Sequence, residues 1–426
     1  MANQLQTVET YQETSLMLLD NSMVTSKLCN TKFKDFQEFE GNLGDAVGIE
    51  LPYRFVGQKN SLDVSSSVRD IVQRREQLVC NSTQTVPYQA NEGERIFNLT
   101  PEMFMNRIGN SAVSEIASSI EEDVLTELVT APYRAYGDGN TEIANTYKTL
   151  RDAIVNYKNY GMPKGRLKVV LPMSIVPNII DTGLSQFALN RGNENANTWE
   201  LGSWGGCDFY ESNLLPRHTA GSVSDAGNTI TVTGIDSTGT QLSVNVADGT
   251  ASDANAFKAG DTLTFQDGVS GQPNIRFLRF TGHGVSNQRV QCTVTADQGL
   301  DGSNNATLTI TPALLPLSGA NEFNANASVS TAVVSGMQLL GAASGVVGGI
   351  IGGDAFYMAM PRMMPLDPFE TKDVRSANAA SPDTGMSIAM AVGANIQTRV
   401  NLIRFDAFYG MRLIPEYGMK LIFPDA

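Results

Sequence analysis

Residues 228–246 read NTITVTGIDSTGTQLSVNV, and their alternation decides the fold of the middle of the chain. Ile230 and Val232 alternate with threonines; Leu242, Val244 and Val246 alternate with polar residues. A period of two, bounded by Gly, Asn and Asp, predicts half-buried antiparallel strands. Leu263/Phe265, Ile275/Phe277, Val290/Cys292/Val294 and Leu308/Ile310 repeat the rule. From Gly221 to Pro316 there is no Glu and a single Lys, Lys258. The flanks carry the amphipathic helices, so this block reads as a β module inserted into another domain.

Working outward, Val47, Ile49, Leu51, Tyr53 and Phe55 share one face of a strand, with Pro52 marking an edge position. The chain turns near Lys59-Asn60 and returns as a polar strand with Val64, Val68 and Val72, running to about Tyr88. Such arms have too few large apolar residues to bury a core and are expected to project. Thr100-Pro101-Glu102 then opens a helix: a capping Thr, Pro in the first turn, an acid near the positive dipole end. Phe104, Ile108, Ala112, Ile116, Ile120, Val124 and Leu128 step by four along it. That stripe predicts a spine of about 30 residues and about 45 Å, ended by Pro132.

A second helix is expected from Asn140/Thr141, with Ile143, Tyr147, Leu150, Ile154 and Tyr157 on one face and Gly161 and Pro163 as stops. Leu167–Leu171 reads as a buried strand with a short helix after Ser174. Beyond the β module, Ser328–Leu340 reads as helical and Phe356–Met360 as a strand. Met386–Ala394, Arg399–Ala407 and Met411–Ile414 read as closing strands, around a charged, Pro-rich loop from Pro365 to Gly385.

At 426 residues, two or more domains are expected. Hydrophobic residues make up 42% and the net charge is −14, a folded composition that argues against tight, non-specific DNA binding. Cys29, Cys80, Cys207 and Cys292 lie far apart without a CxxC pair, and are expected as reduced, small apolar residues. Met1-Ala-Asn-Gln-Leu has neither the basic nor the apolar region of a signal peptide. Asn324 to Gly353 carries no charge, but the seven glycines from Gly336 to Gly353 favour a buried helix followed by a Gly-rich loop over a membrane span.

Chemistry has little to stand on. His218 and His283 are the two histidines, one at the edge of the module and one in a Gly-flanked turn, and both read as surface or loop residues. No GxSxG or HExxH occurs. The glycines at 341, 345, 348, 349, 352 and 353 end in Asp354, which would repel a phosphate, so they read as structural. Glu121-Glu122-Asp123 lies opposite the apolar stripe and reads as a solvated helix face. Arg74-Arg75 lies in the projecting arm, either solvated or facing an acidic neighbour across an interface. No catalytic, cofactor-binding or metal-ligating residue is assigned.

The order of elements (arm, two-stranded projecting loop, spine helix, α/β core closed by late strands) resembles that of tailed-phage major capsid proteins with the Hong Kong 97-type fold. The branch it most resembles is the coat proteins of short-tailed Salmonella-type phages, which carry an inserted β-barrel domain. Trp199-Glu-Leu-Gly-Ser-Trp-Gly-Gly-Cys-Asp-Phe-Tyr-Glu-Ser-Asn-Leu-Leu-Pro resembles the lead-in to that insertion. Lys258-Ala-Gly-Asp-Thr-Leu-Thr-Phe and Ala306-Thr-Leu-Thr-Ile-Thr-Pro resemble its strands, and Phe356-Tyr-Met-Ala-Met-Pro the strand after it. The likeness covers nearly the whole chain in element order, with loose motifs. The family's long charged contact loop is shortened here to Gly234–Gln241, leaving Gln266–Asn274 as the longer turn.

The resemblance implies an α+β, HK-97-like capsid fold with an inserted antiparallel β-barrel domain. Its parts would be an N-terminal arm (1–41), an extended two-stranded loop (42–95) and a peripheral domain with the spine helix (96–139). An apical domain (140–220 and 321–362) would carry the insertion (221–320). Peripheral strands and loop (363–407) and a C-terminal strand returning to the apical domain (408–426) would close the chain.

The implied function is a major capsid protein that self-assembles into an icosahedral shell around packaged phage DNA, in the virion, after assembly in the bacterial host cytoplasm. Implied partners are other copies in pentamers and hexamers, a separate scaffolding protein (the chain begins directly with the arm), a portal protein and a decoration protein. DNA would meet the lumen only weakly, and no membrane is involved. Lys59 sits where some relatives place a cross-linking Lys, a chemistry that relatives with the inserted domain do without. The rival readings are a fibre or decoration protein, which would show repeats or a coiled coil, and an enzyme with an inserted β lid, which would show a convergent polar pocket.

Overall fold

The structure, a computed structural model, describes residues 15–17, 19, 28–31, 46–57, 73–91, 109–137, 146–161, 165–184, 202–225, 227–280, 282–317, 326–363, 374–380, 385–395 and 400–423, with five further positions between 62 and 71. The expected helix start at Thr100-Pro101-Glu102, with Phe104 and Ile108, lies outside these residues; so do Lys59 and Trp199. The chain forms two compact units, one drawing on residues up to 49, 75–125 and 356–412, the other on 50–74, 126–355 and 413–426.

In the first unit a five-stranded sheet runs Phe356–Ala359, Val400–Leu413, Ser387–Asn395, Val374–Ala380, with Ser82–Asn91 also paired to Val400–Leu413. The strands expected separately at Arg399–Ala407 and Met411–Ile414 are one continuous strand. Gly410 does not break it, because a Cβ there would meet the Val79 carbonyl oxygen at 2.4 Å and only Gly admits that backbone. The small hairpin of Ala46–Glu50 and Arg75–Val79 buries Val47, Ile49 and Leu78 against Ala359 and Phe408. The expected strand to Phe55 stops at Glu50, and Tyr53 and Phe55 are exposed.

The long helix, Asn110–Thr130, buries the stripe Ala112, Ile116, Ile120, Val124 and Leu128 as the four-residue step requires. Its acidic face is not purely solvated, since Asp123 accepts a hydrogen bond from the buried Tyr409 hydroxyl.

The second unit holds a seven-stranded sheet and a closed barrel. The sheet order is Ala135–Tyr136, Gly418–Phe423, Gly345–Gly352, Leu167–Pro172, Cys207–Ser212, Ser203–Trp204, with Arg217–His218 paired to Gly345–Gly352. The Gly-rich segment expected as a loop is thus a central strand, Gly345–Gly352, hydrogen-bonded to a neighbour on each side. Its glycines admit close neighbours rather than turns. A Cβ on Gly349 would stand 2.7 Å from the Leu128 side chain, and one on Gly348 2.7 Å from the Val170 carbonyl oxygen.

Helix Tyr147–Asn159 covers this sheet with Leu150, Ala153, Ile154 and Tyr157. Thr146, extended, caps it by accepting the Thr149 N–H, and the expected start at Asn140/Thr141, with Ile143, lies outside the described residues.

The barrel order is Gln241–Val246, Asn305–Thr311, Gln291–Val294, Thr262–Phe265, Gln338–Gly341, Ile230–Ile235. Closure leaves no unpaired strand edge. The alternating residues fill its interior: Ile230, Val232, Leu242, Val244, Leu263, Cys292 and Leu308 are fully buried. The sixth strand, Gln338–Gly341, corrects two expectations. It falls where a helix was expected over Ser328–Leu340, and it lies beyond the expected end of the module at 320. Its burial alternates, with Leu339 and Gly341 inside. The chain enters and leaves the barrel side by side, since His218 is paired with Gly345 in the sheet. The four cysteines are free and buried. Among the described residues no helix is long and apolar enough to cross a membrane.

Replacing Gly349 by Val is expected to lower unfolding stability by about 1–3 kcal/mol through overpacking against Leu128. Gly234→Ala, where a Cβ meets nothing within 4 Å, should leave the urea midpoint nearly unchanged.

Candidate functional site

Two places in the second unit hold its parts in position. The first is the root of the barrel. Asp261, at the turn into the barrel strand Thr262–Phe265, has no solvent exposure. Its carboxylate accepts hydrogen bonds from the backbone N–H groups of Gly221 and Lys258 and from the Ser224 hydroxyl, each at 3.0 Å, and lies 2.8 Å from His218 Nε2. A buried carboxylate is tolerated only with such partners. His218 therefore leaves the surface role expected of it and joins the last sheet strand before the insertion to the barrel. Gly260, at φ +94°, lets the His218 ring approach; a Cβ there would sit 3.1 Å from Cε1.

From the sheet side, Lys420 reaches the same root. It is buried, and its ammonium donates to the Gly260 carbonyl at 2.8 Å and to the Thr262 and Thr293 hydroxyls at 3.3 and 3.4 Å. Burial pushes its pKa down from 10.5 to about 7, opposed by the negative charge of Asp261.

Beside it, the Gln291 side chain caps the edge strand Ala135–Tyr136 by accepting the Ala135 N–H at 2.9 Å and donating to its carbonyl at 3.0 Å. Thr293 donates to the Pro132 carbonyl. Tyr133 and Tyr160, hydroxyls 3.1 Å apart, pack on Phe277 with ring centroids at 5.6 and 5.7 Å. Polar bridges and aromatic packing thus hold the barrel along one side.

The second place is the base of the 50–74 segment. Its two legs meet where the Leu51 N–H bonds the Arg74 carbonyl at 3.0 Å. Glu416 grips both: Arg74 binds its two carboxylate oxygens, and Arg54 Nη1 lies 3.9 Å away. The Arg54 guanidinium also stacks 4.7 Å over Phe280. Arg74, expected to be solvated or to face another subunit, is paired within its own chain.

His283, expected on the surface, is buried. Among the described residues no group of three His, Cys, Asp or Glu could hold a metal ion. Sequence reasoning missed Asp261, Gln291, Glu416 and Lys420, all of which act over long sequence separations. Lys420 alone left a trace, as a single charge within the apolar run Gly418–Phe423.

The second unit thus joins a strand-rich sheet to a closed barrel through buried polar bridges. The family model described as "P22 coat protein - gene protein 5" matches residues 208–422, just over half of the chain. The chain belongs to this family of phage coat proteins. It is a major capsid protein, a virion component that forms the icosahedral shell. No curated protein sequence matches it.

Among solved structures it is similar to "Capsid of Ralstonia phage GP4", at 8% identity and TM-score 0.46, covering 95% of this chain and 89% of that one. It is likewise similar to a chain of "Mycobacterium phage Che8", at 8% identity and TM-score 0.45, covering 94% and 90%. The family match carries the assignment; likenesses this coarse add nothing to it.

Two outcomes are expected at the barrel root. Asp261→Ala strands its donors and the Lys420 charge, and should cost about 3–5 kcal/mol in denaturant unfolding. For Lys420 the folded pKa lies below the unfolded one, so between about pH 7 and 10 the unfolded chain binds the extra proton. Stability should therefore rise with pH across that window, and urea titrations of Lys420→Met should lack this component.

Proposed function

We propose that the subunit follows the Hong Kong 97-type plan, with the domain boundaries that the resemblance implies, except that the insertion runs on to Gly341. The work of the chain is then mechanical. The seven-stranded sheet and its helix serve as the apical core, the five-stranded sheet as the peripheral domain, and the long helix as the spine. The arm and the extended loop reach other copies in pentamers and hexamers.

One observation carries this reading. Within the short segment 50–74, Tyr53, Phe55, Val68 and Ile71 are at least half exposed and Leu62 is fully exposed. A run of large apolar side chains left in water marks an association surface. Its base is meanwhile fixed by Glu416, which pairs with Arg74 and lies 3.9 Å from Arg54.

Assembly would proceed in the host cytoplasm on a separate scaffolding protein, with a portal protein and a decoration protein completing the particle. A net charge of −14 supports a lumen that touches packaged DNA only weakly. The barrel, closed and rooted by buried bridges, would stabilise the subunit before assembly and contact neighbours second. Its Gln266–Asn274 turn is braced by Asp267, which pairs with both Arg276 and Arg289.

The double variant Phe55→Asp, Ile71→Asp tests the loop's role. The monomer should keep its circular dichroism and melting temperature, while sedimentation after expression with the scaffolding partner should show no closed particles. Wild-type yields of particles from this variant would overturn the assignment of the loop.

A further inference from the structure

The second unit contains a cleft of about 670 Å³ between helix Tyr147–Asn159 and the hairpin of Arg276–Leu278 and Val285–Arg289, with Gln291 of the barrel beside it. Its charge runs against that of the chain. Three arginines line it, Arg134, Arg279 and Arg289, against one acid, Asp152, in a protein of net charge −14. Asp152 is already engaged by its neighbour Arg151 at 3.0 Å.

The arginines, by contrast, have capacity to spare. Arg279 is exposed, and among the described residues its one hydrogen bond is the backbone contact to Gly284. Arg289 binds Asp267 through Nε alone, at 3.0 Å. Arg134, at the floor, is only 2% exposed, and its Nε and Nη1 have no hydrogen-bond partner among the described residues. Its guanidinium lies over the Tyr157 and Tyr160 rings, 4.8 and 4.2 Å from their centroids.

The walls are preformed. The Gln288 amide bridges the cleft to Asn156 Oδ1 at 2.7 Å, and Gln291 fixes the edge strand beneath. Planar guanidinium groups with amide donors beside them match carboxylates, which they bind in pairs of hydrogen bonds. A volume of this size accepts several residues of peptide, within the roughly 300–1,000 Å³ of ligand sites.

We propose that this cleft receives a carboxylate-bearing segment of a second copy of the chain. In a shell every subunit is surrounded by copies that carry an excess of acid, so the complementary charge is present at each contact. Nucleic acid could also offer anions, but Asp152 disfavours a phosphate backbone. The inference rests on the shell reading above.

A photo-cross-linking amino acid at Val155, which lines the cleft and is 48% exposed, tests it in purified particles. Illumination should yield a species of two chains on a denaturing gel, with the cross-link mapped to an Asp- or Glu-containing peptide. Arg279→Glu in the same background should lose that species while the subunit's melting temperature stays put.

A cross-link to DNA or to another protein, no cross-link at all, or one that survives Arg279→Glu overturns the proposal. The same probe at Phe55 is the control. If it links copies while Val155 does not, the shell reading stands and the cleft proposal falls. If folded chains form no particles, both fall.

Discussion

Asp261 is the constraint on which the second unit depends. A carboxylate without solvent exposure has to be surrounded by donors, and here the donors come from both ends of the joint. Gly221 and Ser224 belong to the entrance of the insertion, Lys258 to the turn before a barrel strand, and His218 to the sheet. Lys420 brings the opposite charge from the last strand of the chain to the next residue's hydroxyl, Thr262. Moving the barrel relative to the sheet would strand these groups in a dry interior, which costs more than any of the bridges contributes by itself. Orientation is therefore set by the cost of the alternatives.

This fits what a coat protein must do. A subunit that associates by many contacts cannot leave other adhesive edges exposed, and closing the barrel removes six strands from that hazard. Among the described residues, five large apolar side chains left in water (Tyr53, Phe55, Leu62, Val68 and Ile71) fall within the short 50–74 segment, whose two legs are held at one carboxylate, Glu416. The same logic places the polar bridges inside, where water and salt do not weaken them.

Much of the local structure was legible in the sequence. The period-two runs at Ile230/Val232 and Leu242/Val244/Val246 became barrel strands with those residues inside, and the Ala112–Leu128 stripe became the buried face of the long helix. What failed were segments whose conformation is set by distant partners. Gly345–Gly352 looked like a loop because glycine is rare in strands, yet Leu128 and the Val170 carbonyl occupy the space its side chains would take. Gln338–Gly341 is too short for its period to declare itself, and it is a strand because the barrel needs a sixth. Asp261, Gln291, Glu416 and Lys420 were invisible for the same reason. A hydrogen bond across 160 residues, such as Lys420 to Gly260, has no local pattern. The identity of the protein was nevertheless within reach, because it lay in the order of elements and in the composition of the insert.

The central claim is that this acidic chain builds a closed shell and does so by laying its 50–74 segment on a neighbouring copy. Cryo-electron microscopy of particles made from the unaltered chain tests it most directly. The account requires closed icosahedral shells in which Phe55 and Ile71 are buried against another subunit. Shells in which that segment stays in solvent, or a folded chain that yields no shells, would contradict it.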